Sequence, residues 1–165
     1  MPTPIIQLFA PEVVQVARAV PDSITVGDLA RVRLHPGIFD LLMNPVAGSQ
    51  VPLGKDLHPM TTIPVGIAID AATEACGHSQ TGVGVLRALE ISMEAPVSMN
   101  LPLEAVARVT EIGARHATVA VEVVELAEPS VRLILRGKAV LVKVVGGKAA
   151  PVPVRAEAGA AGGSS

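Results

Sequence analysis

The sequence predicts an α+β domain in which one helix packs on one face of an antiparallel sheet. Three observations carry that expectation. Residues 64–77, PVGIAIDAATEACG, space their apolar side chains as a helix does. Beyond Val83 the hydrophobic period drops to that of a strand. The alternating runs that follow are joined by turns too short for the crossovers that parallel strands need.

Composition bounds the rest. A chain of 165 residues can bury one substantial core and is short for two domains. Half of its residues are apolar, 17% are charged and mean hydropathy is +0.52. That surplus implies either surface buried between subunits or contact with lipid. The uninterrupted run of about 20 apolar residues that a membrane-spanning helix needs is absent. The N-terminus, MPTPIIQLFAPEVVQVARAV, does not have the layout of a secretory signal, so a cytoplasmic location is expected. One cysteine, Cys76, excludes an internal disulfide framework and reads as buried packing. With 13 basic against 15 acidic residues, no Trp or Tyr and two Phe, the chain lacks both the charge and the stacking surfaces of a nucleic-acid binder.

The elements follow in order. Residues 1–20 read as an N-terminal extension with a short helix at 11–19, where Val13, Val14 and Ala17 share a side and Pro11 suits a first turn. Residues 21–145 read as the domain proper. A strand is expected near 24–33, followed by loops broken by prolines and glycines up to residue 60. The helix then runs from Pro64 to Gly77, a residue suited to the left-handed position after a helix end. A strand over 83–93 ends before Pro96. A hairpin follows, with Ala105, Ala107 and Val109 alternating before Gly113, and Ala117, Val119, Val121 and Val123 after it. The last strand spans about 131–144, with Gly137 placed where a bulge would fit. Residues 146–165, rich in Gly, Ala and Pro, read as a disordered tail.

The helix raises the functional question. Gly66, Asp70, Thr73, Glu74 and Gly77 share one face, while Val65, Ile69, Ala72 and Cys76 form an opposing stripe for the sheet. On helical geometry alone, Asp70 and Glu74 are either the solvated side or a reactive pair.

The order of elements, together with EISMEAPVSMNLPLEAVARVTEIGARHATVAVEVVEL, resembles the hotdog fold, a curled antiparallel sheet wrapped around a central helix. The layout is similar to that of PaaI-like acyl-CoA thioesterases over roughly residues 60–144. Locally, TIPVGIAIDAATEACG resembles the helix of the β-hydroxyacyl-ACP dehydratases, with Pro64, Asp70, Glu74 and Gly77 at the proline, acid, glutamine and glycine of that pattern.

The resemblance implies a homodimer or dimer of dimers with acyl-thioester sites at subunit interfaces, which would absorb the apolar surplus. It implies hydrolysis of thioesters of CoA or acyl carrier protein, with no cofactor beyond that carrier. Asp70 becomes the base or nucleophile, with Glu74 beside it. Thr61, Thr62 and Ile63 stand where the thioesterases have His-Gly-Gly, and with Gly66 and Thr73 they become the expected substrate-binding residues. Backbone N–H groups near Thr62 would face the developing oxyanion. The dehydratase alternative needs a histidine, and His58 is the one just upstream, two residues closer to Pro64 than in that family. A third alternative is a non-catalytic acyl-binding module, which the missing His-Gly-Gly favours.

Other constellations read more plainly. His78 and Ser79 lack a G-x-S-x-G elbow, and His78 suits a helix C-terminus. Histidines 35, 58, 78 and 116 form no pair at metal-ligand spacing, so no metal is expected. QTGVGVLRAL lacks the Gly-Lys-Ser/Thr end of a phosphate-binding loop.

Overall fold

The computed structural model describes residues 11–35, 59–98 and 101–155. Their order is β1 (Glu12–Ala17), β2 (Leu29–Leu34), α1 (Pro59–Ala75), α2 (His78–Thr81), β3 (Val85–Met93), β4 (Leu103–Ile112), β5 (Ala117–Ala127), β6 (Ser130–Val145) and β7 (Lys148–Ala150). The strands form one antiparallel sheet in the order β1-β2-β4-β5-β6-β3, with β7 paired to the end of β6. The expected helix-on-sheet architecture is the observed one. No helix among the described residues is long and apolar enough to cross a membrane.

Alternation along the strands places the core. Ala30, Val32 and Leu34 of β2, Leu103, Ala105, Ala107 and Val109 of β4, and Ala117, Val119, Val121 and Val123 of β5 are all buried. The β4–β5 register sets Ala105 opposite Val123, Ala107 opposite Val121 and Val109 opposite Val119, so these side chains share one face. Across that face lies α1, packed chiefly on β4, β2 and β5. Its buried side consists of Ile67, Ala68, Ala71, Ala72, Ala75 and Cys76. The stripe expected from the sequence is therefore rotated, since Val65 and Ile69 are half-exposed. Small alanines bring the helix axis close to the sheet, and the longer aliphatic side chains are supplied by the strands.

Four further expectations are corrected. Residues 12–17 form an edge strand rather than a helix, paired to β2 with an irregularity between Val13 and Gln15. Three valines in six residues fit helical spacing, but their branched side chains favour a pleated strand once β2 offers pairing. The helix already includes residues 59–63, so Pro64 lies inside it rather than at its start. Pro64 suits a first helical position, but that local preference does not exclude helix before it. The tail is not structureless from residue 146. Gly146 and Gly147 turn β6 into β7, Val152 is buried, and residues 152 and 153 bond to Ala114 and Ile24 through the backbone.

The fourth correction concerns Gly137, which pairs in register with both Val121 and Ile91 and is not a bulge. The irregularities lie elsewhere, between Leu86 and Ala88 and between Val123 and Val124. A Cβ at Gly137 would meet the carbonyl oxygen of Glu90 and lie 2.8 Å from the Cα of Ile91. Glycine is there because β3 comes too close for any side chain. We predict that Gly137→Ala costs about 1–3 kcal/mol, as overpacking in a dense interior does. Chemical denaturation checks this through a lowered midpoint with an unchanged slope.

Charged side chains pin the loops to this frame. Arg18, at the end of β1, donates to the carbonyl oxygens of Pro21 and Ser23 and to Gln80 Oε1, all at 2.7–2.9 Å. Its guanidinium occupies the space a side chain at residue 77 would need, and Gly77 also has φ of +60°. Both constraints demand glycine there, so Arg18 clasps the end of α1. Asp28, close to Arg18, accepts from the N–H groups of Ala19 and Thr25. On the far side, buried Glu125 accepts from the N–H and hydroxyl of Ser98 and from Arg132, which ties the β3–β4 connection to the sheet.

Candidate active site on the central helix

The helix α1 presents Asp70 and Glu74 to solvent, one turn apart. They do not face open water alone. Pro11 and Val13 from the start of the N-terminal strand and Val32 from β2 stand across from them. Together with Thr73 these residues line a cavity of about 200 Å³. Val13 and Val32 are register partners across β1 and β2, which is why both point into it. The Thr73 hydroxyl donates to the carbonyl oxygen of Asp70 at 2.8 Å, which commits its proton to the helix backbone.

Partial burial against this wall raises the pKa of Asp70 above the usual carboxylate value, and the negative charge of Glu74 raises it further. A carboxyl group whose proton affinity is raised in this way is a better proton acceptor than an ordinary surface aspartate. No hydrogen bond or ion pair among the described residues holds either carboxylate oxygen pair in place. The lining sets proline and valine beside Asp70, Thr73 and Glu74, so apolar and polar surface meet in the recess.

The other expected residues fall as follows. Thr61 and Thr62 lie in the first turns of α1, and Ile63 lies inside the helix with its side chain against the core. Gly66 is on the same face as Asp70 and is exposed. His58 lies outside the described residues. His78 is not at the C-terminus of α1, because the left-handed Gly77 separates it and it opens the short helix α2. Neither His78 nor Ser79 lines the cavity. Burial pushes the Cys76 thiol up to about 12, so it stays protonated and inert.

The cavity wall from Pro11 and Val13 was not legible in the sequence. A stretch read as helix cannot be placed as the edge strand that covers the acid, and pairing between β1 and β2 leaves no local signal.

Solved structures place the architecture. A variant of the phenylacetic acid degradation protein PaaI from Thermus thermophilus superposes with a TM-score of 0.54 at 18% identity, over 86% of this chain and 100% of its own. A thioesterase family protein from Silicibacter pomeroyi gives 0.56 at 12% identity, over 87% and 91%. An uncharacterized protein from Pyrococcus horikoshii gives 0.50 at 22% identity, over 82% and 84%. This chain has the hotdog fold. At these identities the likeness is one of fold. No protein-family model matches the sequence, and no curated protein matches it significantly. Within the hotdog fold, Asp70 sits on the central helix beside the β1–β2 edge of the sheet.

The charge on Asp70 has a measurable stability effect with a definite sign. Because the fold raises its pKa, the folded state binds the proton more tightly than the unfolded chain. Stability is therefore lost as pH rises from about 3.8 through the raised value. Asp70→Asn, which resembles the protonated form, is expected to melt higher than the parent at pH 7 and to lose that advantage below the unperturbed value. Melting curves across pH check this, and an advantage that grows on acidification would contradict it.

Proposed function

We propose that this hotdog domain hydrolyses acyl thioesters of CoA or of an acyl carrier protein. The observation that supports this most is a carboxylate of raised proton affinity on the central helix, lining a recess whose other side is proline and valine. The similar structures, which include a thioesterase family protein, point the same way.

In this reading the acyl group enters the recess formed by Pro11, Val13 and Val32, and the thioester carbonyl stops beside Asp70. Asp70 takes a proton from water as the water oxygen bonds to the carbonyl carbon. The tetrahedral oxyanion faces helix-start N–H groups supplied by a second copy of the chain, because those of the same α1 lie about 12 Å or more along its axis from Asp70. Collapse of that intermediate breaks the carbon–sulfur bond, and the proton held by Asp70 passes to the departing thiolate. Glu74 keeps the proton affinity of Asp70 high through repulsion. About 150 Å³ suffices for a benzene-sized group, so a cavity of about 200 Å³ suits a short acyl chain. Aliphatic walls favour an aliphatic chain over an aryl one.

The second copy of the chain is part of this proposal. Among the described residues, strand β3 is an edge strand with an unpaired row of backbone groups, and it exposes Val85, Leu86 and Met93. An apolar edge of this kind is a pairing surface, and an identical β3 is its antiparallel complement. Thr61, Thr62 and Ile63 in place of His-Gly-Gly favour one other reading, a module that binds acyl thioesters without turning them over.

Thiol release from a chain-length panel of acyl-CoA esters separates these readings. Parent turnover that falls about 10²-fold or more in Asp70→Asn supports hydrolysis by this acid. Equal release from both proteins rules out Asp70, and tight binding with no release by the parent selects the module. A second outcome concerns pH. The kcat/KM profile falls on the acid side as Asp70 is protonated, and Glu74→Gln, by removing the repulsion, moves that limb to lower pH. A limb that stays in place or moves upward would remove Glu74 from the mechanism.

A further inference from the structure

Gly66 is a helix residue with no structural reason to be glycine among the described residues. It lies well inside α1, where glycine is less favourable than alanine because of the backbone freedom it loses. Its φ is not positive, so no left-handed conformation requires it. A Cβ built on it meets nothing within 4 Å. Gly77 and Gly137 differ on this point, since each is filled by a neighbour that a side chain would strike.

The position of Gly66 suggests what its bareness serves. It shares a face with Asp70 and precedes it by one turn, about 6 Å along the axis. On the other side of Asp70 lie Thr73, Glu74 and the open recess lined by Pro11, Val13 and Val32. Asp70 thus stands between that recess and the bare, exposed position of Gly66.

A thioester is a linear molecule with its reacting carbon in the middle. When the carbonyl is held at Asp70, only one arm can occupy a recess of about 200 Å³. The other arm then lies outside the recess, and the bare, exposed helix position beside Asp70 is Gly66. We infer that Gly66 is a positioning residue that lets the thiol-side arm of the substrate lie against the backbone of α1, while the acyl arm enters the recess. The inference rests on the thioester reading of the site and assigns direction to it: acyl group toward Glu74, leaving thiol toward Gly66.

This assignment has a signature that a structural role would not produce. Gly66→Ala removes backbone freedom from the unfolded chain and adds no clash, so it is expected to raise Tm by about 2–4 °C. The same methyl group lifts the thiol arm and is expected to lower kcat/KM by about tenfold or more. The loss is the same for every acyl length, because the thiol arm is common to all of them. Val13→Leu, which narrows the recess, is expected to penalise long acyl chains more than short ones.

The experiment is thiol release from the same acyl-CoA panel by the parent, Gly66→Ala and Val13→Leu proteins, with Tm and mass by light scattering for each. A more stable Gly66→Ala protein with a uniform loss of kcat/KM supports the inference. Unchanged kcat/KM overturns it, as does a loss that grows with acyl length. A lower Tm shows that the glycine serves packing, and a change of mass shows that a second copy lies over it; both overturn it too. If the parent releases no thiol, hydrolysis fails separately, and calorimetric binding of free CoA decides the point. Binding weakened by Gly66→Ala supports the inference, and equal or absent binding overturns it.

Discussion

The closeness of α1 to its sheet is the constraint on which the rest depends. Four of the buried helix residues are alanines, at 68, 71, 72 and 75, and each is 1% exposed or less. A helix with such a face can lie near the strand backbones, and β2, β4, β5 and β6 can all reach it. Larger side chains in those four places would push the sheet outward. Dense packing of this kind tolerates little change of volume. It also fixes the rotation of the helix about its axis, because only the alanine face fits. Asp70, Thr73 and Glu74 are turned outward as a direct result.

The second constraint holds the helix along its axis. Arg18 reaches from the end of β1 over Gly77 to Gln80 and the carbonyl oxygens of Pro21 and Ser23. The strand that covers the acid and the helix that carries it are thereby tied at one end. Removing a buried cation from such a network leaves its acceptors and Asp28 without compensation, so the clasp holds only as a whole. The wall of the cavity and the acid it partly buries are then set by one arrangement. The raised proton affinity of Asp70 is a product of that arrangement together with the charge of Glu74.

Gly66, Gly77 and Gly137 show how one residue type answers to different demands. At Gly77 the backbone is left-handed and an arginine fills the side-chain space. At Gly137 a neighbouring strand leaves no space for a side chain. At Gly66 neither holds, and the open space lies on the face that carries the acid. The first two are features of the fold, whereas the third meets no packing demand among the described residues.

By itself the sequence determined the elements whose signal is local and long. Period-2 alternation over β3 to β6 and helical spacing around Asp70 are each carried by many residues in a row, so they survive the error of any one of them. It also determined which acids share a helix face, because that follows from helix geometry alone. The tertiary structure decided everything that depends on pairing. It made residues 12–17 a strand, since valines that fit either period become a strand only when β2 is beside them. It extended the helix upstream of Pro64, and it gave β7 and Val152 a place against the rest of the chain. It also brought Pro11, Val13 and Val32 across from Asp70, residues far from it in sequence. Contacts between distant segments leave no periodic trace in either one, and for that reason the acid could be read from the chain but its cavity could not.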